Sequence, residues 1–112
     1  MSRLLLTTTQ GIEGYEIVEY KGVVHAQVAL GVNVIKDFFS GVRGFVGGRM
    51  GAIEEELTMG FEQCDNELRE EGSRLGGNAV IAVEYDSNVE GESNKILMIT
   101  ASGTAVVLAK RR

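Results

Sequence analysis

The chain has 112 residues, the length of one ordinary domain, and its 44% of hydrophobic residues, with neither tryptophan nor proline, predict an aliphatic core. Its apolar runs are too short for a transmembrane helix, and the N-terminal stretch MSRLLLTTTQ lacks the apolar region of a signal peptide, so we expect a cytoplasmic protein. The net charge of −5 is concentrated between Ala52 and Leu75, where eight acidic residues stand against two arginines. Such an acidic surface repels phosphate backbones, and we expect neither nucleic acid nor a membrane as partner.

The first 30 residues predict two strands. Leu4–Thr9 reads as a short strand, and the run from Tyr15 or Glu16 to Leu30 alternates with the period of a long one. One face of the long strand carries Val18, Tyr20, Val24, Ala26, Val28 and Leu30, and the other carries Glu19, Lys21, His25 and Gln27. Because fourteen extended residues span about 46 Å and a domain of this size has a radius of gyration of about 13 to 14 Å, we expect a bend at Gly22 or a protruding half that meets another subunit.

Residues 31–57 form the most distinctive segment, with six of the 15 glycines and three of the four phenylalanines. We expect a helical turn over residues 34–39 and then a glycine-rich connection. Long connections of this kind are usually functional or buried in interfaces, so the segment is predicted to form much of a subunit interface. The candidate interface residues are Asp37, Phe38, Phe39, Arg43, Gly47, Gly48, Arg49 and Glu54. Either arginine could form an ion pair with Asp37 or Glu54 across that interface.

A helix is predicted from Gly51 or Ala52 to Leu75, ended by two glycines at 76 and 77. Its apolar stripe consists of Ile53, Leu57, Phe61, Cys64, Leu68 and Leu75. Three glutamates, residues 54–56, are expected in the first turn, where they complement the helix dipole. Gly60 and Gly72 weaken the helix by about 1 kcal/mol each, and the close approach of another backbone would explain them.

The remaining residues predict a hairpin. The third strand is expected over Asn78–Asp86, with Ala79, Ile81, Val83 and Tyr85 on one face, followed by a polar loop over residues 87–94 and a fourth strand over Lys95–Ala109. The order β-β-α-β-β predicts a single α+β domain, a two-layer antiparallel sheet with one long helix. One helix cannot cover two such long strands, so the uncovered sheet and its edges favour symmetric self-association.

Metal binding is one candidate function, and it would use His25, Glu84 and Asp86. By the alternation of the strands all three lie on the sheet face away from the helix, whereas Cys64 lies on the helix stripe. The spacings CxxC, HxH and HExxH are absent. The alternatives are a merely solvated polar sheet surface, or copies of one acid or histidine gathered around a symmetry axis. Cys64 itself is more simply a small buried hydrophobe.

Anion binding and catalysis have less support. The stretch GFVGGRMG presents glycine amides beside Arg49 before the helix, but it is neither a P-loop nor a GxGxxG fingerprint. Ser102 stands in the middle of a strand instead of on a strand-to-helix elbow, and the chain has one histidine to act as a base. We therefore expect a protein that is not an enzyme.

The run LGVNVIKDFFSGVRGFVGGRMGAIEEEL, together with TTTQGIEGYEIVEYKGVV, LGGNAVIAVEYD and SGTAV, resembles the YbjQ-like family of small bacterial and archaeal proteins. The resemblance covers about Leu5 to Val107. It implies an α+β fold similar to dodecin subunits, a ring-like homopentamer, and a divalent or heavy metal as ligand without a defined set of ligating residues. Ile53 stands where the family often has an aromatic residue, and Cys64 lies outside the motif blocks, which argues against a thiolate metal site. The leading hypothesis is a non-enzymatic homo-oligomer that binds a metal or small ligand; the alternatives are a purely structural oligomer and small-anion binding at the glycine-rich loop.

Overall fold

The structure is a computed structural model that describes residues 4–30, 48–91 and 96–112, with the backbone alone for 48–53. Its elements are β1 (Leu5–Leu6), β2 (Tyr15–Leu30), α1 (Gly48–Arg74), β3 (Ala79–Glu90) and β4 (Ile96–Lys110). The strands form one sheet in the order β1-β3-β4-β2, and α1 packs on one face of it. The predicted α+β fold with one long helix is confirmed. The helical turn expected over residues 34–39 lies outside the described residues.

The three long strands are antiparallel to their neighbours, but β1 runs parallel to β3, so the sheet is mixed. The chain beyond β1 continues along the edge of β3: the Val83 amide donates to the Thr7 carbonyl at 3.0 Å, and the Ala82 amide donates to the Thr9 carbonyl at 2.8 Å. The strand itself is shorter than predicted, and after it the Thr9 hydroxyl donates to the Gly11 carbonyl at 2.6 Å.

Strand β2 is irregular in its first half. Its register against β4 shifts between Ile17 and Glu19 and again between Tyr20 and Gly22, where Gly22 has a φ of +132°. The bulge predicted at Gly22 is therefore confirmed. The shifts turn Tyr20 to the face away from α1, where it lies opposite Val106, so the prediction that Tyr20 shares a face with the buried residues of β2 is wrong. The molecule measures 58 × 27 × 24 Å.

A second bulge lies in β3 at Ala82, which has a φ of +54°. Before the bulge, Ala79 and Ile81 pack with Val106 on the face away from α1. After it, Val83 packs in the main core beneath the helix. The prediction that Ala79, Ile81, Val83 and Tyr85 share one face is therefore wrong, because one additional residue reverses the alternation of a strand.

Helix α1 begins at Gly48, before the predicted start, and its first turn contains no acidic residue. The expectation that residues 54–56 occupy the first turn is therefore wrong. The helix can include glycines near its start because each one lowers helix stability by only about 1 kcal/mol relative to alanine. The packing of a 27-residue helix on the sheet offsets that loss. The predicted end is confirmed: Gly76 has a φ of +91°, and the Gly77 amide donates to the Gly72 carbonyl at 2.9 Å, as in a Schellman motif.

The helix contacts the sheet through a narrower stripe than the sequence predicts. The residues buried along it follow each other at intervals of four: Gly60, Cys64, Leu68 and Gly72. A Cβ at Gly60 would lie 3.0 Å from Ile99 Cδ1, and one at Gly72 would lie 2.9 Å from Val80 Cγ2. These glycines admit side chains of the sheet, not another backbone. Phe61, expected in the stripe, is 37% exposed.

The hairpin between β3 and β4 is tighter than predicted. Ladder pairing continues from Ser87 opposite Ile99 to Glu90 opposite Ile96, so the first half of the predicted loop is strand. Polar side chains are compatible with this because β3 is exposed from Glu84 to Glu90 and its backbone groups are paired with β4. Over the ranges the structure covers, no helix combines the length and the apolar character needed to cross a membrane.

Candidate functional site

Two rows of polar residues cross the sheet on the face away from α1. In each row a residue of β4 lies between a residue of β2 and a residue of β3. The first row is His25, Ser102 and Glu84, and the second is Gln27, Thr100 and Asp86. We call these six residues the polar face. They border a shallow depression of about 520 Å³, the size of a site for a small ligand.

The three metal candidates predicted from the sequence, His25, Glu84 and Asp86, are all exposed members of the polar face. His25 is there because the neighbouring residues of β2, Val24 and Ala26, point into the core beneath α1. The two acids owe their orientation to the bulge at Ala82, since β3 without an extra residue would carry Glu84 on the same face as Val80.

The fit of these residues to a metal ion within one chain is incomplete. His25 and Glu84 flank the same residue of β4, so their strands are two spacings apart, about 10 Å. Among the residues with described side chains, no three of histidine, cysteine, aspartate and glutamate come close enough to hold an ion. A protein site for zinc normally uses three or four such ligands. The described part of one subunit therefore offers the donor types of a metal site without assembling them.

Cys64 cannot add a thiolate to the polar face. It is completely buried on the opposite side of the sheet, and its Sγ donates to the Ile99 carbonyl at 3.6 Å. Burial raises the pKa of the thiol, and the carboxylates of Glu67 and Asp65 raise it further. A neutral, enclosed thiol is a poor ligand for soft metals. The interpretation of Cys64 as a small core residue agrees with this placement.

Tyr85 lies in β3 beside the polar face but contacts the helix. Its hydroxyl donates to Asp65 Oδ1 at 2.6 Å, and its ring meets the edge of Phe61 with centroids 5.8 Å apart at 75°. Desolvation raises the pKa of Tyr85 to about 12, and the hydrogen bond to Asp65 contributes. The hydroxyl is therefore neutral at physiological pH, and the contact fastens α1 to β3.

The polar face does not hold its serine, histidine and carboxylates in the order of a Ser-His-acid relay. Ser102 lies between His25 and Glu84, so the carboxylate flanks the serine and not the histidine. In nucleophilic hydrolases the histidine stands between the other two. This order gives the polar face no arrangement for activating the serine.

A second depression of about 230 Å³ lies near β1 and is lined mainly by apolar groups. At its edge, Asn78 holds the end of β4: its Nδ2 donates to the Leu108 carbonyl at 2.9 Å, and its Oδ1 accepts from the Leu108 amide at 2.8 Å. Both polar groups of Asn78 are used in this clamp.

Most of the interface residues predicted from the sequence lie outside the described residues: Asp37, Phe38, Phe39, Arg43 and Gly47. Gly48 and Arg49 are the first two residues of α1, and Glu54 is exposed on it. The proposed ion pairs of Arg43 and Arg49 therefore stay predictions. The sequence did not predict that Gln27 and Asp86 lie on either side of Thr100. This arrangement depends on the strand order and register, and the alternation within one strand predicts neither.

The fold and the polar face define a small α+β domain with a helix on one side of its sheet and a ligand-sized polar depression on the other. A family model described as "Putative heavy-metal-binding" matches residues 4–109, and the chain belongs to this family, the YbjQ family. A UPF0145 protein of Acetivibrio thermocellus is 47% identical over 105 residues, which cover 94% of this chain and 99% of that protein. A UPF0145 protein of Pasteurella multocida is 45% identical over 106 residues, again covering 94% and 99%.

The chain is also similar to a crystal structure of a protein of unknown function from Pediococcus pentosaceus. The two superpose with a TM-score of 0.64 at 21% identity, over 95% of this chain and 98% of that one. This likeness supports the fold alone.

Proposed function

We propose that the protein is a non-enzymatic, cytoplasmic homo-oligomer that binds a divalent metal ion through the polar face. The single observation that carries the proposal is the convergence of His25, Glu84 and Asp86, distant in the sequence, around one exposed depression. Imidazole and carboxylate donors suit zinc and similar divalent ions, whereas the buried thiol gives no reason to expect a thiolate-preferring ion. The heavy-metal description of the family points in the same direction.

The extended shape of the molecule supports the proposed self-association. Its radius of gyration is 17.3 Å, against about 13 Å for a compact domain of this length. Large apolar side chains are exposed on β2, with Val18 56%, Tyr20 70% and Val23 65% accessible. Such groups on an edge strand are typical of an interface.

Calorimetric titration of the purified, chelator-treated protein with zinc tests the binding. We expect saturable heat in the wild type and a dissociation constant raised about tenfold or more in His25→Gln, Glu84→Gln and Asp86→Asn. Glu90→Gln is the matched control, because it removes the same charge from the same strand outside the depression. Equal binding by all four variants, or no heat in the wild type, would refute the metal site.

Size-exclusion chromatography with light scattering tests the assembly. We expect a single species of several subunits at micromolar concentration in the metal-free protein. A monomer would refute the oligomer, and an oligomer that binds no zinc would leave a structural role as the function.

A further inference from the structure

Two edges of the sheet are free of other strands among the residues that the structure describes. In the part of the chain that the structure describes, no strand pairs with the outer edge of β2, which ends the strand order. The other edge is β3, where β1 and the residues after it occupy the outer side only as far as Val83. From Glu84 to Glu90 this side of β3 meets no described strand. Exposed strand edges present unpaired amides and carbonyls that readily pair with another chain.

The strands at the two free edges, β2 and β3, run in the same direction, and their residues are level with each other along the strands. Both β2 and β3 are antiparallel to β4, so they are parallel to each other. His25 is level with Glu84 across Ser102, and Ala29 is level with Asn88 across Met98. A rotation about an axis along the strands keeps their direction. It would therefore bring β2 of one copy beside β3 of the next as parallel neighbours.

Charge favours pairing between unlike edges over pairing between like ones. The free part of β3 carries Glu84, Asp86 and Glu90, and two such edges placed together would oppose acid to acid. The level part of β2, residues 25–30, contains no acidic residue. On the helix side of the β3 edge, Tyr85 is 41% and Val89 45% exposed, and a neighbouring subunit would cover them.

We infer that copies of this chain join head to tail, with β2 of one subunit pairing in parallel with residues 84–90 of β3 in the next, and that this junction completes the polar face. Within one chain His25 is two strand spacings from Glu84, but across the junction His25 adjoins Glu84 of the partner subunit at one spacing, about 4.8 Å. Both side chains project from the same face of the continuous sheet. The junction thus unites an imidazole with two carboxylates, which the described residues of one subunit do not do.

The metal ligand in this inference rests on the proposed function, whereas the pairing of β2 with β3 does not. Disulfide cross-linking in the presence of chelator therefore tests the pairing separately from metal binding. Gln27→Cys is refolded together with each of Glu84→Cys, Asp86→Cys and Asn88→Cys, which sample three registers on one face. Neighbouring strands satisfy the 4.4 to 6.8 Å between Cα atoms that a disulfide needs. We expect covalent dimers to form most readily with Asp86→Cys, which is level with Gln27, and none in any single variant. The buried Cys64 leaves wild type as the uncross-linked control.

Dimers of Gln27→Cys with itself, and no mixed dimers between Gln27→Cys and a β3 variant, would replace this junction by an antiparallel pairing of two β2 edges and overturn the inference. Absence of cross-links in every mixture of variants that fold, judged by circular dichroism, would overturn it as well. Cross-links without zinc binding would keep the junction and refute the metal function. Zinc binding without cross-links would keep the function and refute the junction.

Discussion

Among the glycines that the structure describes, Gly103 leaves the least room for a side chain. A Cβ there would lie 2.6 Å from Val80 Cγ1, 3.1 Å from the Ile81 carbonyl oxygen and 3.2 Å from Val83 Cγ2. Val80 is completely buried and Val83 is 3% exposed, so neither side chain has free space to move into. We predict that Gly103→Ala destabilises the protein, because β3 must shift away from β4 to admit one methyl group.

The magnitude follows from two opposing effects. Overpacking a well-filled core typically costs about 1 to 3 kcal/mol. Alanine is favoured over glycine in a strand by about 0.5 to 1 kcal/mol, which offsets part of that cost. We therefore expect the free energy of unfolding to fall by about 1 to 2 kcal/mol, or the melting temperature by about 4 to 8 °C for a domain of this size.

Thermal melting followed by circular dichroism at one protein concentration measures the effect. Gly11→Ala is the matched control, because a Cβ at Gly11 would meet nothing within 4 Å; we expect it to melt within about 2 °C of wild type. A Gly103→Ala variant that melts at or above the wild-type temperature would refute the packing described around Gly103.

Three further predictions concern the bulge, the tyrosine contact and the thiol. Ala82→Gly should raise the urea midpoint, with a gain of about 0.5 kcal/mol, because a left-handed alanine costs about 1 to 2 kcal/mol and the flexibility of glycine offsets part of the relief; a lower midpoint would contradict the φ of Ala82. Tyr85→Phe should lose about 1 kcal/mol with the hydrogen bond to Asp65. Because the folded pKa of Tyr85 is raised to about 12, its contribution to the free energy of unfolding is complete below the unfolded pKa of about 10. That contribution is lost as the pH rises through 12. If Tyr85→Phe loses the same amount of stability at alkaline pH as the wild type, Tyr85 is not the source of that loss. The Cys64 thiol should react with Ellman's reagent only on unfolding, since it is buried and its pKa is raised; prompt labelling of the native protein would contradict that burial.

The order of elements and the helix could be predicted because they depend on local signals: period-2 alternation in β2, the apolar stripe around Cys64 and Leu68, and the glycine pair after Leu75. The side-chain faces of β2 and β3 could be predicted only in part. A bulge inserts one residue and reverses all assignments on one side of it. The bulge at Gly22 could be predicted because glycine tolerates a positive φ. Ala82 is an ordinary strand residue, and its positive φ depends on contacts in the folded sheet.

The candidate site shows the same division. His25, Glu84 and Asp86 could be assigned to the face away from the helix, and the structure has them there. The assignment is correct for the two acids because Glu84, Asp86 and the core-facing residues beside them all lie after the bulge. The alternation among these residues is therefore undisturbed. The strand order and register, which set Ser102 and Thr100 between the histidine and the acids, arise from long-range pairing and could not be predicted from alternation.

Native mass spectrometry of the zinc-treated protein tests the central claim most directly, because one spectrum reports subunit number and bound metal together. The account predicts a closed oligomer with about one zinc ion per subunit, since each junction unites one His25 with the carboxylates of one partner subunit. In His25→Gln the same oligomer should persist without zinc, while Glu90→Gln should match the wild type. A monomer, or an oligomer whose zinc content is unchanged in His25→Gln, would contradict the account.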